Sequence, residues 1–400
     1  MLGIFSIKQI IDILYEYTFL DYIMVLFVIC LLVIGFVKNK VYNNLNNKIN
    51  ITDLVIVLLA IIYFFSFLRN TDAWKHICKI ESAFLVYFLG RIYGNKEIKY
   101  KKVCSIISYI VVYANTIYRI YEIIHYKITG TFLKSEPFGI YNGGAFYNYK
   151  TDLALGLIVA SILIYFCSEI KWLKLITIGP VVATIIFTSG ARTCKLILVI
   201  EYIIMLAFYI KKNKKSISLS IKTKLKVLKI ALGIVVASVL SFFVFIQCFE
   251  PLNHKLEDLI KSESETSKLF NIFHGRNIIW WDAISYFKQQ SLLTRFIGID
   301  LCSETQHNLE GDRFHNLYFK LVYSIGYIGT ILFIYFIYRL FKSYILSKNE
   351  DVKYLFLAYF VMFLGISLTM EGLEYTQMTW YGFIMAGVIV TQSMNQRVNS

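Results

Sequence analysis

Four residues near the C-terminal end of the sequence have types and spacing that could support acid–base chemistry. His315 and Asn316 are followed, after nine residues, by Gly326 and Gly329. The string opens the apolar run 317–338, so a titratable histidine lies where a polar loop meets a membrane span. If a helix begins near His315, both glycines lie on the same face of that helix as His315, about three and four turns further along. They would let a neighbouring helix pack closely, and the pattern predicts a functional histidine at a membrane surface.

The composition indicates that a lipid bilayer surrounds much of the chain. Hydrophobic residues make up 57% and aromatic residues 17% of its 400 residues, and the mean hydropathy is +0.60. Windows apolar enough to cross about 30 Å of hydrocarbon lie at residues 18–37, 51–68, 76–93, 103–121, 152–167, 173–190, 193–210, 228–247, 317–338, 354–370 and 380–394. We therefore predict an all-α polytopic membrane protein with about 11 (10–12) transmembrane helices. Residues 1–400 form a single membrane domain in this prediction, and residues 248–316 form one large extracytoplasmic loop with an amphipathic interfacial helix.

Basic residues distinguish the two faces of the membrane. Lysines and arginines cluster in every second predicted loop, most densely in residues 211–229, as is typical of cytoplasmic loops. The segments 122–151, 248–316 and 371–379, with the turn near 190, are then predicted to lie outside. We interpret 211–229 as an anchor near anionic membrane lipids; a nucleic-acid surface is the weaker alternative, and no nucleic-acid partner is expected. The sequence has no metal-ligand spacing or phosphate-binding glycine loop, so neither a metal nor a cofactor is expected.

Arg192 lies at the predicted outer turn between the sixth and seventh spans, directly after Gly190 and Ala191. A guanidinium stays protonated in proteins, and burying it without a partner at membrane depth is costly. The position therefore favours an anionic ligand. The alternative is an interfacial arginine whose side chain reaches the lipid headgroups.

Arg276 opens the segment that we predict to be the interfacial helix. The apolar stripe of this helix is formed by Trp280, Ile284 and Phe287. An arginine in the first turn lies beside free backbone N–H groups, and together they favour an anionic ligand. A salt bridge to Asp282 or Glu304 is the alternative.

Two outer segments contain side chains that suit carbohydrate. The loop 130–151 is rich in glycine, aromatic and amide residues, including Tyr147 and Asn148. Sugars stack on aromatic faces while their hydroxyl groups bind amides and carboxylates, and Glu371 and Glu374 lie in the short outer turn before Trp380. These four residues are the candidate glycan-binding residues. An interfacial aromatic belt explains the rings equally well, and the glutamates could instead pair with the arginines.

These elements resemble the O-antigen ligase and polymerase superfamily, which includes the Wzy-type polymerases of O-antigen and capsule. The His-Asn and Gly-x-x-Gly string at 315–329 matches the signature of that superfamily in spacing. Arg276 resembles the arginine that opens its outer-loop helix, and the segment 138–152 with Asn148 is similar to its asparagine-bearing segment. Arg192 looks like its Ser-Arg element, although Ala191 stands where the serine is expected.

The resemblance implies a GT-C-like fold and a reaction. Members transfer a glycan from undecaprenyl diphosphate to an acceptor hydroxyl at the outer side of the bacterial cytoplasmic (inner) membrane, without metal or nucleotide sugar. His315 would be the general base, Arg192 and Arg276 would bind the diphosphate, and Asn316, Gly326 and Gly329 would be structural. The implied partners are an undecaprenyl-diphosphate-linked oligosaccharide, membrane lipids and, as a further candidate, a chain-length regulator protein.

Three functions remain open at this point. The preferred one is a repeat-unit polymerase whose acceptor is an incoming lipid-linked repeat unit. A ligase that transfers finished glycan to another acceptor has the same motifs. A flippase for lipid-linked oligosaccharide belongs to a different class, and it should place charges along a central cavity and show repeated halves, which this sequence does not show clearly.

Overall fold

The structure is a computed structural model, and it describes most of the chain. The described residues are 2–13, 18–38, 49–94, 101–131, 133, 145–147, 149–188, 192–212, 276–306 and 313–398. Within them every regular element is a helix or a helical turn, and no strand occurs. The all-α prediction is therefore confirmed for this part of the chain.

The helices follow the apolar windows of the sequence. In chain order they are α1 (Leu2–Ile13), α2 (Thr18–Lys38), α3 (Ile51–Leu68), α4 (Trp74–Tyr93), α5 (Lys101–Thr129), α6 (Lys150–Cys167), α7 (Lys171–Val182), α8 (Arg192–Lys212), α9 (Arg276–Gln289), α10 (Leu292–Ile297), α11 (Leu317–Leu346), α12 (Glu350–Ile366) and α13 (Thr376–Val398). Short 3-10 turns lie at Thr71–Ala73, Ser303–Gln306 and Gly372–Glu374, and a π-helical turn, Ala183–Thr188, continues α7. Every predicted window lies largely on a helix except 228–247, which is outside the described residues.

Several helices have the character of membrane spans. Within the described residues, 4 helices are long and apolar enough to cross a membrane: Ile51–Leu68, Lys101–Tyr126, Thr193–Lys212 and Leu317–Leu346. Shorter apolar helices lie at Tyr22–Gly35, Thr151–Cys167 and Trp172–Ile185. Large apolar side chains of α3, among them Leu54, Val57 and Phe65, are exposed, as a lipid-facing surface requires. The chain is an α-helical membrane protein.

The chain forms two compact units. Unit 1 is built from Asp21–Glu97 and Ser262–Ser400 together with Met1, and unit 2 from Leu2–Leu20 and Ile98–Lys261. Unit 1 therefore contains α3, α4 and α9 to α13 with most of α2, and unit 2 contains α1 and α5 to α8. All the contacts of the candidate site that follow lie within unit 1.

In unit 1, α4 and α13 cross with their backbones in contact. A Cβ atom on Gly90 of α4 would lie 2.0 Å from the carbonyl oxygen of Ile384, and Gly387 of α13 faces α4 at the same crossing. Small residues allow this close approach between membrane helices. Directly after Gly90 in α4, Arg91 pairs with Asp53 of α3 at 2.8 Å. The pair ties α3 to α4 at the end of the crossing.

Helix α11 is broken at Gly326, where φ is +64°. A Cβ atom there would lie 2.4 Å from both the backbone nitrogen of Gly298 and the carbonyl oxygen of Phe296, at the C-terminal end of α10. On the same turn of α11, the hydroxyl of Ser66 in α3 donates to the carbonyl oxygen of Ser324 at 2.8 Å. The predicted uninterrupted helix is therefore wrong at this point, because the backbone opens where α10 packs directly against it.

Gly329 has a different environment. The three atoms nearest to a Cβ at this position all belong to the side chain of Ile325 in α11 itself, at 2.6 Å. Packing within α11 is thus the first limit on this position, whereas the predicted close neighbour is found at Gly326. That neighbour is the end of a short helix.

We expect Gly326→Ala to lower the melting temperature of the detergent-purified protein and its yield in the membrane. A side chain held at positive φ costs about 1–3 kcal/mol, and the added methyl group also meets α10. Gly179→Ala is the control, because nothing lies within 4 Å of a Cβ atom at Gly179 in α7. If Gly326→Ala were as stable as the wild type, the break in α11 would be contradicted.

Unit 2 surrounds α6 with α1, α5, α7 and α8. Leu155 and Leu163 of α6 are completely buried. A buried ion pair joins Arg119 and Glu122 of α5 at 2.8 Å. Pro180 lies inside α7 and removes one intrahelical hydrogen bond, and α7 widens into the π-helical turn shortly after it.

Candidate functional site

The His-Asn pair forms the entry to α11. The helix begins at Leu317, and the Asn316 side chain caps it by accepting hydrogen bonds from the N–H groups of Tyr318 at 2.9 Å and Phe319 at 3.2 Å. His315 has a φ of +47°, in the left-handed region that histidine and asparagine enter more readily than most residues. The predicted helix start near His315 is confirmed, and the half-buried histidine lies on the turn that leads into it.

Residues 367–374, which we call the α12–α13 turn, bind the start of α11. The N–H group of Leu317 donates to the carbonyl oxygens of Ser367 at 2.9 Å and Met370 at 3.1 Å. The Nδ2 atom of Asn316 donates to the carbonyl oxygen of Leu368 at 2.9 Å. Asn316 therefore uses its oxygen for α11 and its nitrogen for the turn, which fixes the backbone that directly follows His315.

Arg276 reaches the same turn from α9, of which it is the first residue. Its Nη1 atom donates to the carbonyl oxygen of Thr369 at 3.1 Å. Trp280 of α9 donates through Nε1 to the carbonyl oxygen of Phe314 at 2.7 Å. A helix is found where the interfacial helix is predicted, and its described buried residues, Ile279, Ala283 and Phe287, share only Phe287 with the predicted stripe.

Lys320, in the first turns of α11, is the centre of a buried charged cluster. It is 2% exposed, and its Nζ atom lies 3.2 Å from Oε1 of Glu304, 2.8 Å from Oε2 of Glu371 and 2.6 Å from Oε1 of Glu374. Glu304 belongs to the 3-10 turn before α11, and the other two glutamates belong to the α12–α13 turn. A buried ammonium needs such partners, because its removal from water costs several kcal/mol. We call these four residues the Lys320 cluster.

A histidine and an arginine extend the cluster. His76 of α4 bonds through Nδ1 to Oε2 of Glu374. Its Nε2 atom lies 2.9 Å from Nη2 of Arg313, and Nη1 of Arg313 lies 3.6 Å from the same carboxylate oxygen. Because a guanidinium only donates hydrogen bonds, Nε2 of His76 accepts and Nδ1 carries the proton. Glu374 thus joins α4, the segment before His315 and the Lys320 cluster.

The cluster contains three carboxyl groups, and among the described residues Lys320, Arg313 and His76 lie in ion-pair contact with one or more of them. Burial raises the pKa of Glu371 to about 7, and the charges of Glu374 and Glu304 add to the rise while Lys320 opposes it. Burial also acts to raise the pKa of Glu374, but Lys320 and His76 outweigh it and hold that pKa well below its usual range. Glu371 is therefore the carboxyl group that takes up a proton near neutral pH.

The raised pKa of Glu371 predicts a pH-dependent stability. A carboxyl group whose pKa is higher in the folded protein stabilises the fold fully below its ordinary pKa of 4.5 and loses that contribution as the pH rises through about 7. We expect the melting temperature of the wild type to fall across this interval and that of Glu371→Gln to fall less. Glu169→Gln, at an exposed glutamate, should follow the wild type. Equal slopes for Glu371→Gln and the wild type would contradict the assignment.

The structure corrects the predicted roles of Glu371 and Glu374. They are 4% and 7% exposed, so their carboxyl groups are not open to sugar hydroxyls in this conformation. Their ion-pair partner is Lys320, and Glu374 also binds Arg313 and His76. Burial favours such charged partners over a neutral sugar. The α12–α13 turn nevertheless carries both glutamates and binds Asn316 and Arg276.

The remaining candidates belong to unit 2. Arg192 is the first residue of α8. Tyr147 is 1% exposed, and its hydroxyl would lie 2.2 Å from a Cβ atom on Gly156 of α6. This burial contradicts the predicted role of Tyr147 as an accessible ring for sugars, because its face packs in the protein core. Asn148 lies outside the described residues.

Three residues of the site, Lys320, His76 and Arg313, are not predicted from the sequence, and a fourth, Glu304, is predicted with a different partner. Lys320 could have been found, since a lysine inside the apolar window 317–338 is an ionisable group at membrane depth. Neither His76, at the edge of its apolar window, nor Arg313, two residues before His315, belongs to a sequence pattern that predicts a site. Glu304 was considered only as a partner for Arg276, whereas the structure pairs it with Lys320.

The site is thus assembled from α4, α9, α11, the 3-10 turn Ser303–Gln306 and the α12–α13 turn. No family model, curated protein or solved structure matches the sequence. The resemblance carried by the His-Asn and Gly-x-x-Gly string therefore stays a prediction.

Proposed function

We propose that this membrane protein is a metal-independent glycosyltransferase, and that it polymerises a bacterial surface polysaccharide of the O-antigen or capsule type. In this proposal it transfers a glycan from undecaprenyl diphosphate to the hydroxyl group of an incoming lipid-linked repeat unit. The active site faces the outer side of the cytoplasmic membrane, and the chain crosses that membrane about 11 times in a GT-C-like arrangement.

One observation supports the proposal most strongly. His315 and Arg276, selected from the sequence for different chemical reasons, belong to segments that bind the same α12–α13 turn. Arg276 donates to Thr369 of that turn, and Asn316, next to His315, donates to Leu368. A base and a cation are therefore held against one short stretch of backbone, which is what transfer from a diphosphate donor to a hydroxyl acceptor needs.

The residues have separate tasks in the proposed reaction. The imidazole of His315 takes the proton of the acceptor hydroxyl, and its place before the N-terminus of α11 favours the neutral, base-competent form. Arg276 donates hydrogen bonds to the diphosphate, whose negative charge grows as the bond to the sugar breaks. Arg192, which enters the proposal from the sequence resemblance, supplies the second guanidinium.

The direct test is transfer by the purified protein from a synthetic lipid-linked repeat unit, with the products separated on a gel. The wild type should produce a ladder of lengthening glycans, and Arg276→Lys should lose most of this activity because lysine keeps the charge without the planar fork. Arg339→Lys is the control, since Arg339 lies far along α11 and bonds to Asn50 at 2.9 Å. Normal chain lengths with Arg276→Lys would contradict the role of Arg276, and absence of any transfer by the wild type would contradict the proposed function.

The products also separate the polymerase from the ligase that shares its motifs. Cells without a polymerase should accumulate single repeat units on the final acceptor. Cells without a ligase should accumulate long chains that remain attached to the lipid carrier.

A further inference from the structure

Among the described residues that bond to Glu374, Arg313 has the most exposed side chain. Its side chain is 43% exposed, compared with 17% for His76 and 7% for Glu374. The two ends of its guanidinium face different partners, because Nη1 lies 3.6 Å from Oε2 of Glu374 and Nη2 lies 2.9 Å from Nε2 of His76. The side chain is therefore anchored at its tip and still accessible from solvent.

We propose that Arg313 is a further diphosphate-binding residue of the proposed transferase, and that His76 and Glu374 are positioning residues that hold its guanidinium. The inference rests on the proposed function and deepens it, since it adds a guanidinium that the sequence motifs do not contain. The ligand class is a prenyl diphosphate.

The location of Arg313 supports this role. It lies two residues before His315 in the short non-helical segment 313–316. Phe314, between them, accepts the hydrogen bond of Trp280, so the helix that begins with Arg276 is bound to this segment. Arg313, His315 and the Arg276 helix therefore belong to one bonded substructure of unit 1.

The charge of Arg313 suits a leaving diphosphate. Burial alone lowers the pKa of the guanidinium, but Glu374 and the other carboxyl groups raise it above its ordinary value, so the group stays charged. In the reaction the bond between the sugar and the diphosphate oxygen breaks and its electron pair leaves on the diphosphate. A new bond forms to the acceptor oxygen, and the hydroxyl proton passes to His315. A guanidinium stabilises the departing charge by paired N–H bonds to its oxygens.

His76 and Glu374 hold the guanidinium of Arg313 in place. Nε2 of His76 accepts from Arg313 only while that nitrogen is unprotonated, and Nδ1 then donates to Glu374. Glu374 also pairs with Lys320, which in turn pairs with Glu371 and Glu304. Glu374 thus shares its negative charge between Lys320 and Arg313. A guanidinium fixed in advance loses less side-chain freedom when it binds a ligand.

The test is direct binding of farnesyl diphosphate to the purified full-length protein, without any transfer step. We expect Arg313→Gln to bind about 10-fold to 100-fold more weakly, as the loss of a hydrogen bond to a charged group predicts. Arg313→Lys should fall between, because it keeps the charge that faces Glu374 and remains informative if Arg313→Gln is poorly folded. Arg339→Gln, which removes a guanidinium elsewhere on α11, should bind like the wild type.

A double-mutant cycle tests the positioning role. His76→Leu should weaken farnesyl diphosphate binding severalfold on its own, but should add little when Arg313 is already glutamine, because both changes remove the same contact. A purely structural role of His76 predicts additive losses instead, and additive losses would overturn the positioning role.

Two further outcomes separate the inference from the proposed function. If Arg313→Gln bound as tightly as the wild type while Arg276→Gln bound weakly, the role of Arg313 would be overturned and the transferase proposal would stand. If the wild type failed to bind farnesyl diphosphate at all, the diphosphate site and the inference that depends on it would both be overturned.

Discussion

Purified His315→Asn protein should elongate a lipid-linked repeat unit about 10²–10⁴-fold more slowly than the wild type, because general base catalysis typically contributes that factor. Asparagine is the informative substitution here. His315 has a φ of +47°, and asparagine tolerates this region, whereas alanine adds backbone strain. His315→Asn therefore removes the imidazole while the turn before α11 keeps its shape, and its melting temperature should match that of the wild type.

The matched control for this experiment is His125→Asn. His125 lies near the end of α5, where its ring bonds only to nearby parts of the chain at Thr129 and Thr131 among its described contacts. It should retain full activity. Turnover at the wild-type rate by His315→Asn would end the assignment of the base, and His315 would then serve only to shape the entry to α11.

Lys320→Met should have the largest effect on folding. It leaves Glu304, Glu371 and Glu374 buried together without their shared ammonium, and removal of one partner from a buried ion pair costs about 3–5 kcal/mol. We expect a much lower melting temperature in detergent and little protein in the membrane. Lys342→Met, at an exposed lysine of the same helix, should behave like the wild type.

A compensating variant distinguishes charge from packing in this result. Glu371→Gln and Glu374→Gln, added to Lys320→Met, remove two of the three carboxylates, and should restore part of the lost stability. If Lys320→Met were as stable as the wild type, the three glutamates would not be buried around the ammonium group of Lys320 in solution. If the triple variant showed no recovery, the lost packing of the lysine chain would explain the defect.

The features that the sequence predicts correctly depend on nearby residues. The window 51–68 coincides with α3 because hydropathy and helix length suffice to define it. The start of α11 follows from Asn316, whose side chain caps the N–H groups two and three residues later. The helix opened by Arg276 follows from its apolar spacing, although the buried side is offset from the prediction.

The features that the sequence does not predict depend on distant residues. The sequence pattern predicts that Gly326 allows a neighbouring helix to pack closely. Only the approach of α10, which is distant from Gly326 in the sequence, explains why α11 opens there. From the sequence, Glu371 and Glu374 are interpreted as accessible carboxylates, because no neighbouring residue indicates that both pair with Lys320. Tyr147 reads as an interfacial ring for the same reason, since its burial depends on the packing of α6.

The bond between His76 and Glu374 sets an order of events during biosynthesis. The two residues are 298 positions apart, and a ribosome that adds about 5–20 residues per second needs about 15–60 s to pass from one to the other. Until then His76 of α4 lacks its partner Glu374. Lys320 is likewise translated before the α12–α13 turn, which supplies two of its three glutamate partners. A nascent chain arrested before residue 367 therefore contains His315 and Arg276 but not the α12–α13 turn that their segments bind, and cellular proteases should remove it as an incompletely folded protein.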